Sequence, residues 1–207
     1  MAEASVKNQN ENVWSMIKLG LVLCAYAVVA CTLLAIVNNF TAPKIAQNQE
    51  RKVSQAMTEF FPDSGLTFET VNDFTPPVVG AITVDEIYVA KKDGKIIGGA
   101  AQVSGPTYDQ GTILIGIKID GTVTGLKFLK LTDSPGFGLK ANDSTFKLPN
   151  GKTFYGQFEG KNAAGGFKAG ENFDAISGAT ITSIAVSSLI NEGTKNLLAY
   201  FDMKGAK

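Results

Sequence analysis

The chain has 207 residues, enough for one globular domain with an appendage. Lys+Arg and Asp+Glu balance at 19 each, which gives no electrostatic reason to expect a nucleic acid partner. There is no histidine, so the commonest metal ligand and general base are missing. Both cysteines, Cys24 and Cys31, lie in an apolar N-terminal run, so the rest of the chain has no disulfide, thiolate metal site or cysteine nucleophile. Redox chemistry on such a chain has to come from a bound organic cofactor.

Residues 1–16 read as a polar, flexible tail rich in Asn and Glu. From Ile17 to Val37 the chain is apolar except for Lys18, Tyr26 and Thr32, which is the length a membrane-spanning helix needs. Lys18 and Trp14 are placed as interfacial anchors, and Asn38 and Asn39 mark the far end. Val28-Val29-Ala30-Cys31 also resembles a lipobox, the mark of a cleaved and lipidated leader, but Thr32 to Val37 carries the apolar run past the cysteine. The expected span is therefore 17–38, followed by a connector at 39–50 and a domain at 51–207. Lys7 and Lys18 lie before the span, and Lys44, Arg51 and Lys52 lie after it with Glu50 among them, so charge slightly favours a cytoplasmic domain, or neither side.

Pro43 suits the first turn of a second helix. Val53, Ala56, Met57, Phe60 and Phe61 then recur at helical spacing up to Pro62. Strand signals follow. Ile87–Ala90, Asp93-Gly94 and Ile96–Gly99 read as one hairpin. Ile113, Ile115, Ile117 and Ile119, then Asp120-Gly121, then Val123, Leu126 and Phe128 read as another, with one face buried. Successive hairpins between two helices give an α+β class with a mainly antiparallel sheet. Residues Asn142 to Gly170 read as a long irregular connection.

Two stretches carry chemistry. Thr132-Asp133-Ser134-Pro135-Gly136-Phe137-Gly138-Leu139 follows the second hairpin and contains a Pro-Gly turn signal. Asp174-Ala-Ile-Ser177-Gly178-Ala179-Thr180-Ile-Thr182-Ser183 precedes an apolar-periodic run through Ile184, Ala185, Leu189, Ile190, Leu197 and Leu198. That run predicts a helix with Thr182 or Ser183 as N-cap, which places Thr180 just ahead of unpaired N–H groups, at a natural phosphate seat. Gly178 lets the backbone approach a ligand. A capping turn with no ligand would use the same residue types.

Asp174, Ser177, Gly178, Ala179, Thr180 and Ser183 together match the flavinylation pattern D-x-x-[ST]-G-A-T-x-x-[ST]. On this motif, and on the order of membrane anchor, middle domain and C-terminal motif, the chain resembles the G-subunit family of the Rnf complex. It is more distantly similar to the C subunits of sodium-pumping NADH:quinone oxidoreductases. The resemblance implies an FMN-binding domain at 51–207 with FMN joined to Thr180 through a phosphoester. It implies Ser177, Gly178, Ala179, Thr182, Ser183 and Asp174 around the attachment site. Thr132, Pro135, Gly136, Phe137, Gly138 and Leu139 would contribute to the wall around the ring; Asp133 stands where family members often carry Glu, and Phe137 departs from the smaller residue usual in the family. Asp174 is expected to pair with the N–H groups of its own loop. Tyr108 and Phe173 are expected in the core or on the surface rather than at the site. The implied function is an electron-transfer subunit of a ferredoxin–NAD oxidoreductase that moves Na⁺ or H⁺. Its partners would be other membrane subunits, a flavin transferase and membrane lipid, with the domain on the extracytoplasmic side of the cytoplasmic membrane. An FMN domain of another membrane reductase or regulator, or a non-redox anchored binding domain, are the alternatives.

Overall fold

The computed structural model describes residues 2–206, with side chains from Trp14 onward. Met1 and Lys207, the outer ends of the expected tail and domain, lie outside the described residues. The chain divides after Glu50 into two units.

The first unit is helical throughout. Helix α1 runs without interruption over Ala2–Phe60. It takes in the backbone of the expected tail and connector, and Pro43 lies inside it instead of opening a second helix. Pro43 has no N–H to give the carbonyl four residues back, but the residues around it include Lys44, Ala46, Gln47, Gln49, Glu50 and Arg51, good helix formers that carry the helix on. Every residue from Trp14 to Lys52 is exposed, including the large apolar side chains between Ile17 and Val37. This stretch is long and apolar enough to cross a membrane. Lys18 Nζ sits 5.7 Å from the centre of the Trp14 ring at its start.

The second unit is built on a five-stranded antiparallel meander: β1 Leu66–Thr70, β2 Thr83–Lys92, β3 Lys95–Gly105, β4 Gly111–Lys118 and β5 Val123–Leu131, paired in that order. The two hairpins fall where the Asp-Gly pairs place them. Asp93 and Gly94 both have positive φ, at 50° and 77°, as a two-residue type I′ loop requires. At the second turn only Gly121 is positive, and the Lys118 and Gly121 N–H bonds mark a longer loop with a bulge.

Helix α2, Thr180–Met203, covers one face of the sheet. Val186, Leu189, Ile190, Leu197 and Phe201 pack with Val103, Ile113, Ile115 and Ile117 in one core. The opposite face is also covered, contrary to the one-sided hairpin read from the sequence. Val53, Ala56, Met57, Phe60 and Phe61 pack there with Ala90, Ala100, Leu114 and Leu129. The alternation of Ile with Leu114 and Gly116 in β4 is thus a strand buried on both sides. Gly116 and Gly125 make room for the Phe60 ring, since a Cβ on either would come within 2.6 and 2.4 Å of it.

The stretch from Asn142 to Gly170 has little regular structure beyond a 3₁₀ turn at Tyr155–Gln157. It is nevertheless part of the core. Phe154, Phe158, Phe167 and Phe173 are buried and meet mostly edge-to-face, with centroids 5.1 to 6.2 Å apart.

Candidate functional site

The turn before α2 is fixed by local chemistry. Ala179 N–H donates to Ile176 O at 2.9 Å, and Gly178, with φ of +80°, takes the position of that turn which needs a left-handed residue. Ser183 is buried one turn into the helix. Its hydroxyl donates to Ala179 O and accepts from Ile176 N–H, both at 2.9 Å, so it pins the turn from inside.

The helix therefore starts earlier than the capping rule suggests. Ala179 is the N-cap and makes no side-chain cap, Thr180 is the first helical residue, and neither Thr182 nor Ser183 caps. The first helical bond runs from Ser183 N–H to Ala179 O. The N–H groups of Thr180, Ile181 and Thr182 are those a helix start leaves for an outside partner.

Asp174 does not bond to the N–H groups of its own loop. Its carboxylate accepts from Asn150 Nδ2 at 2.8 Å, while Gln157, which is buried, holds its backbone N–H and C=O with a side-chain amide. The aspartate thus anchors the motif to the aromatic-rich connection, and does so from outside the cleft described next.

The loop after β5 forms a second turn, Ser134-Pro135-Gly136-Phe137, closed by Phe137 N–H on Ser134 O, with Gly136 at φ +77°. Leu139 N–H donates to the same carbonyl, and Thr132 bonds through its N–H and hydroxyl to Gln110 O. Asp133, 2% exposed, is the centre of the loop. Its carboxylate accepts from Thr107 Oγ1, Asp109 N–H, Tyr108 N–H and Thr182 Oγ1. Burial works against its charge, but the hydroxyls of Thr107 and Thr182 and the two N–H groups outweigh this and hold the carboxyl below its ordinary value of 3.8. Thr182 is thereby spoken for: it is buried, with its hydroxyl given to Asp133. Thr180 is exposed.

These segments enclose a cleft of about 560 Å³, lined by Tyr108, Ser134, Pro135, Phe137 and Gly138 on one side and by Gly178 to Thr182 on the other. Of the residues singled out in the sequence, the structure brings Pro135, Phe137, Gly138, Gly178, Ala179, Thr180 and Thr182 together here. Ser177, Ser183, Asp174, Thr132, Gly136 and Leu139 do not line it. Tyr108 is 66% exposed on the cleft, whereas Phe173 is buried in the aromatic cluster. Sequence reasoning leaves Tyr108, Ser134 and Ile181 out of the site, although Tyr108 is weighed there. It also gives Asp133 no role of its own, because the partners of that carboxylate lie 24 to 49 residues away. A larger open groove of about 810 Å³ lies between β1–β3 and the end of α2. It holds the ion pairs Lys91–Glu69 and Lys204–Asp73 and none of the motif residues.

The cleft fits FMN in kind. Aromatic and apolar side chains offer faces for a flat ring, three helix-start N–H groups suit a phosphate, and a free-standing hydroxyl lies beside them. A membrane-spanning helix joined to such a domain defines a single-pass membrane flavoprotein, and the comparisons agree. Residues 107–195 match the FMN-binding domain, and residues 8–60 match the RnfG N-terminal region. The chain is 32% identical to the G subunit of the Na⁺-translocating ferredoxin:NAD⁺ oxidoreductase complex of Acetobacterium woodii, over 86% of this chain and 90% of the relative. It is 30% identical to the G subunit of the ion-translocating oxidoreductase complex of Pseudomonas aeruginosa, over 91% and 89%. It is 28% identical to that of Shewanella baltica, over 93% and 92%. The chain belongs to the G-subunit family of the Rnf complex.

Proposed function

We propose that this chain is the FMN-carrying electron-relay subunit of a membrane-bound, ion-translocating ferredoxin–NAD oxidoreductase, with FMN held covalently through Thr180. The observation that carries the covalent assignment is the contrast between two threonines on one helix turn. Thr180 presents an exposed hydroxyl on the cleft beside the helix-start N–H groups, whereas Thr182 is buried and bonded to Asp133. A phosphoester from Thr180 Oγ1 would place the phosphate against those N–H groups, which are charge-complementary to it. The ring would lie toward Tyr108, Pro135 and Phe137. When bound, FMN supplies the electron-transfer chemistry, and the chain supplies position, polarity and exclusion of side reactions.

No histidine or cysteine stands at the cleft to activate the Thr180 hydroxyl, so the bond calls for a separate flavin transferase. Electrons would reach the flavin from, and leave it to, other subunits of the complex. The exposed apolar helix, seated in lipid, would keep the domain at the membrane, on its extracytoplasmic side. A tether has a clear use there, since lost FMN is not readily replaced outside the cytoplasm.

The test is a denaturing gel of the full chain co-expressed with a flavin transferase. Thr180→Val is expected to abolish in-gel flavin fluorescence, and Thr182→Val to retain it. A peptide map that places FMN on Thr182 or Ser177 would sink the assignment.

A further inference from the structure

Two walls of the cleft meet at one buried carboxylate. Asp133 Oδ1 accepts from Thr107 Oγ1 at 2.5 Å and from Asp109 N–H at 2.9 Å. Oδ2 accepts from Tyr108 N–H at 3.3 Å and from Thr182 Oγ1 at 2.5 Å. The first three donors belong to the loop that carries Tyr108, and the fourth to the turn that carries Thr180. Gly138 closes over the pair. A Cβ there would stand 2.5 Å from Asp133 Cβ and 2.7 Å from both Oδ2 and the Thr182 hydroxyl, so nothing larger fits.

We propose that Asp133 is a positioning residue for the flavin, fixing the Tyr108 wall against the Thr180-bearing turn of α2 and so setting how the ring sits between them. The inference rests on the FMN reading above. Asp133 is not catalytic: it lies behind the wall and acts through Tyr108 and Thr182.

The donor set explains why the residue is a carboxylate. Each oxygen faces one backbone N–H and one hydroxyl. A side-chain amide has a single acceptor oxygen, so whichever way it turned its NH₂ would face the N–H of Asp109 or of Tyr108. A flavin takes its electronics and orientation from such contacts, and sites of this kind tolerate displacements of only about 0.5 Å.

The experiment uses the full chain in detergent, purified with its flavin. Amide exchange at Tyr108 and Asp109 is expected to rise about tenfold in Asp133→Asn, the loss of roughly one hydrogen bond. The visible circular dichroism of the flavin is expected to fall by half or more in both Asp133→Asn and Thr182→Val. Thr182→Ser, which keeps the hydroxyl, should match the wild type. Should Asp133→Asn not fold, the Thr182 pair decides alone. Flavin dichroism unchanged in Thr182→Val, or exchange unchanged in a folded Asp133→Asn, overturns the proposal. A wild-type chain that takes up no flavin overturns the FMN reading instead.

Discussion

At the scale of single residues, the first turn of α2 separates binding from bonding. In Thr180→Ala the helix-start N–H groups remain, and a helix end is worth roughly 0.3–1 kcal/mol to a charged group, up to ~2 when partly buried. Ring burial adds about 25 cal/mol per Å². Immobilising a free ligand costs ~4 kcal/mol or more. The variant should fold with unchanged circular dichroism and bind added FMN weakly and reversibly. Absence of binding at millimolar FMN would mean that the tether alone holds the flavin. Asp133 gives a second expectation, through pH. Its carboxyl is held below its ordinary value of 3.8 in the fold, so the unfolded chain takes up the proton first as pH falls. The stabilisation is full above the unfolded value and is lost as pH drops through the folded one. The stability gap between the wild type and Asp133→Asn, read from urea unfolding, should therefore be widest at neutral pH and narrow below about pH 4.

At the scale of elements, close packing between α1 and the sheet invites a direct test away from the cleft. A Cβ at Gly125 would lie 2.4 Å from two ring carbons of Phe60, with no room to move past them. Gly125→Ala should cost about 1–3 kcal/mol in urea unfolding, the usual penalty of overpacking, and Phe60→Leu in the same chain should recover part of it. Flavin attachment should persist, because Phe60 packs on the face of the sheet away from α2. The same region shows what the sequence can reveal. Helical spacing from Val53 to Phe61 and the Asp93-Gly94 turn are legible because their signals are local. Other features are not. The start of α2 falls at Thr180 because Ser183 braces the turn from within the helix, a bond that capping rules do not anticipate. The aromatic cluster from Phe154 to Phe173 reads as loop because its residues follow no helix or strand period. Asp133 reads as a turn residue because its four donors come from two distant segments. Thr180 itself is legible, since the S-G-A-T pattern is contiguous, whereas Tyr108 on the facing wall has no local signal.

At the scale of the whole molecule, the question is which side of the membrane holds the domain. The helix from Trp14 to Lys52 is exposed throughout, and its apolar run continues past Cys31 to Val37 with Thr32 the one polar residue there, so it is expected to remain in the mature chain. A mature N-terminus at Cys31 would contradict this. Charge gives only a slight excess after the span, three positive residues against two before it, and that excess leans toward a cytoplasmic domain. The covalent tether proposed above would be of use on the extracytoplasmic side, where a dissociated cofactor is lost. Both native cysteines lie within the span, at positions 24 and 31, which makes a thiol probe clean once they are replaced. In a Cys24→Ser, Cys31→Ser chain, Lys195→Cys places a thiol at an exposed position of α2, and Ser15→Cys places one at the other flank of the span. A membrane-impermeant maleimide applied to right-side-out vesicles should label Lys195→Cys and spare Ser15→Cys, with the pattern reversed in inverted vesicles. The opposite pattern would put the flavin domain in the cytoplasm, and the reason offered here for a covalent tether would then fail.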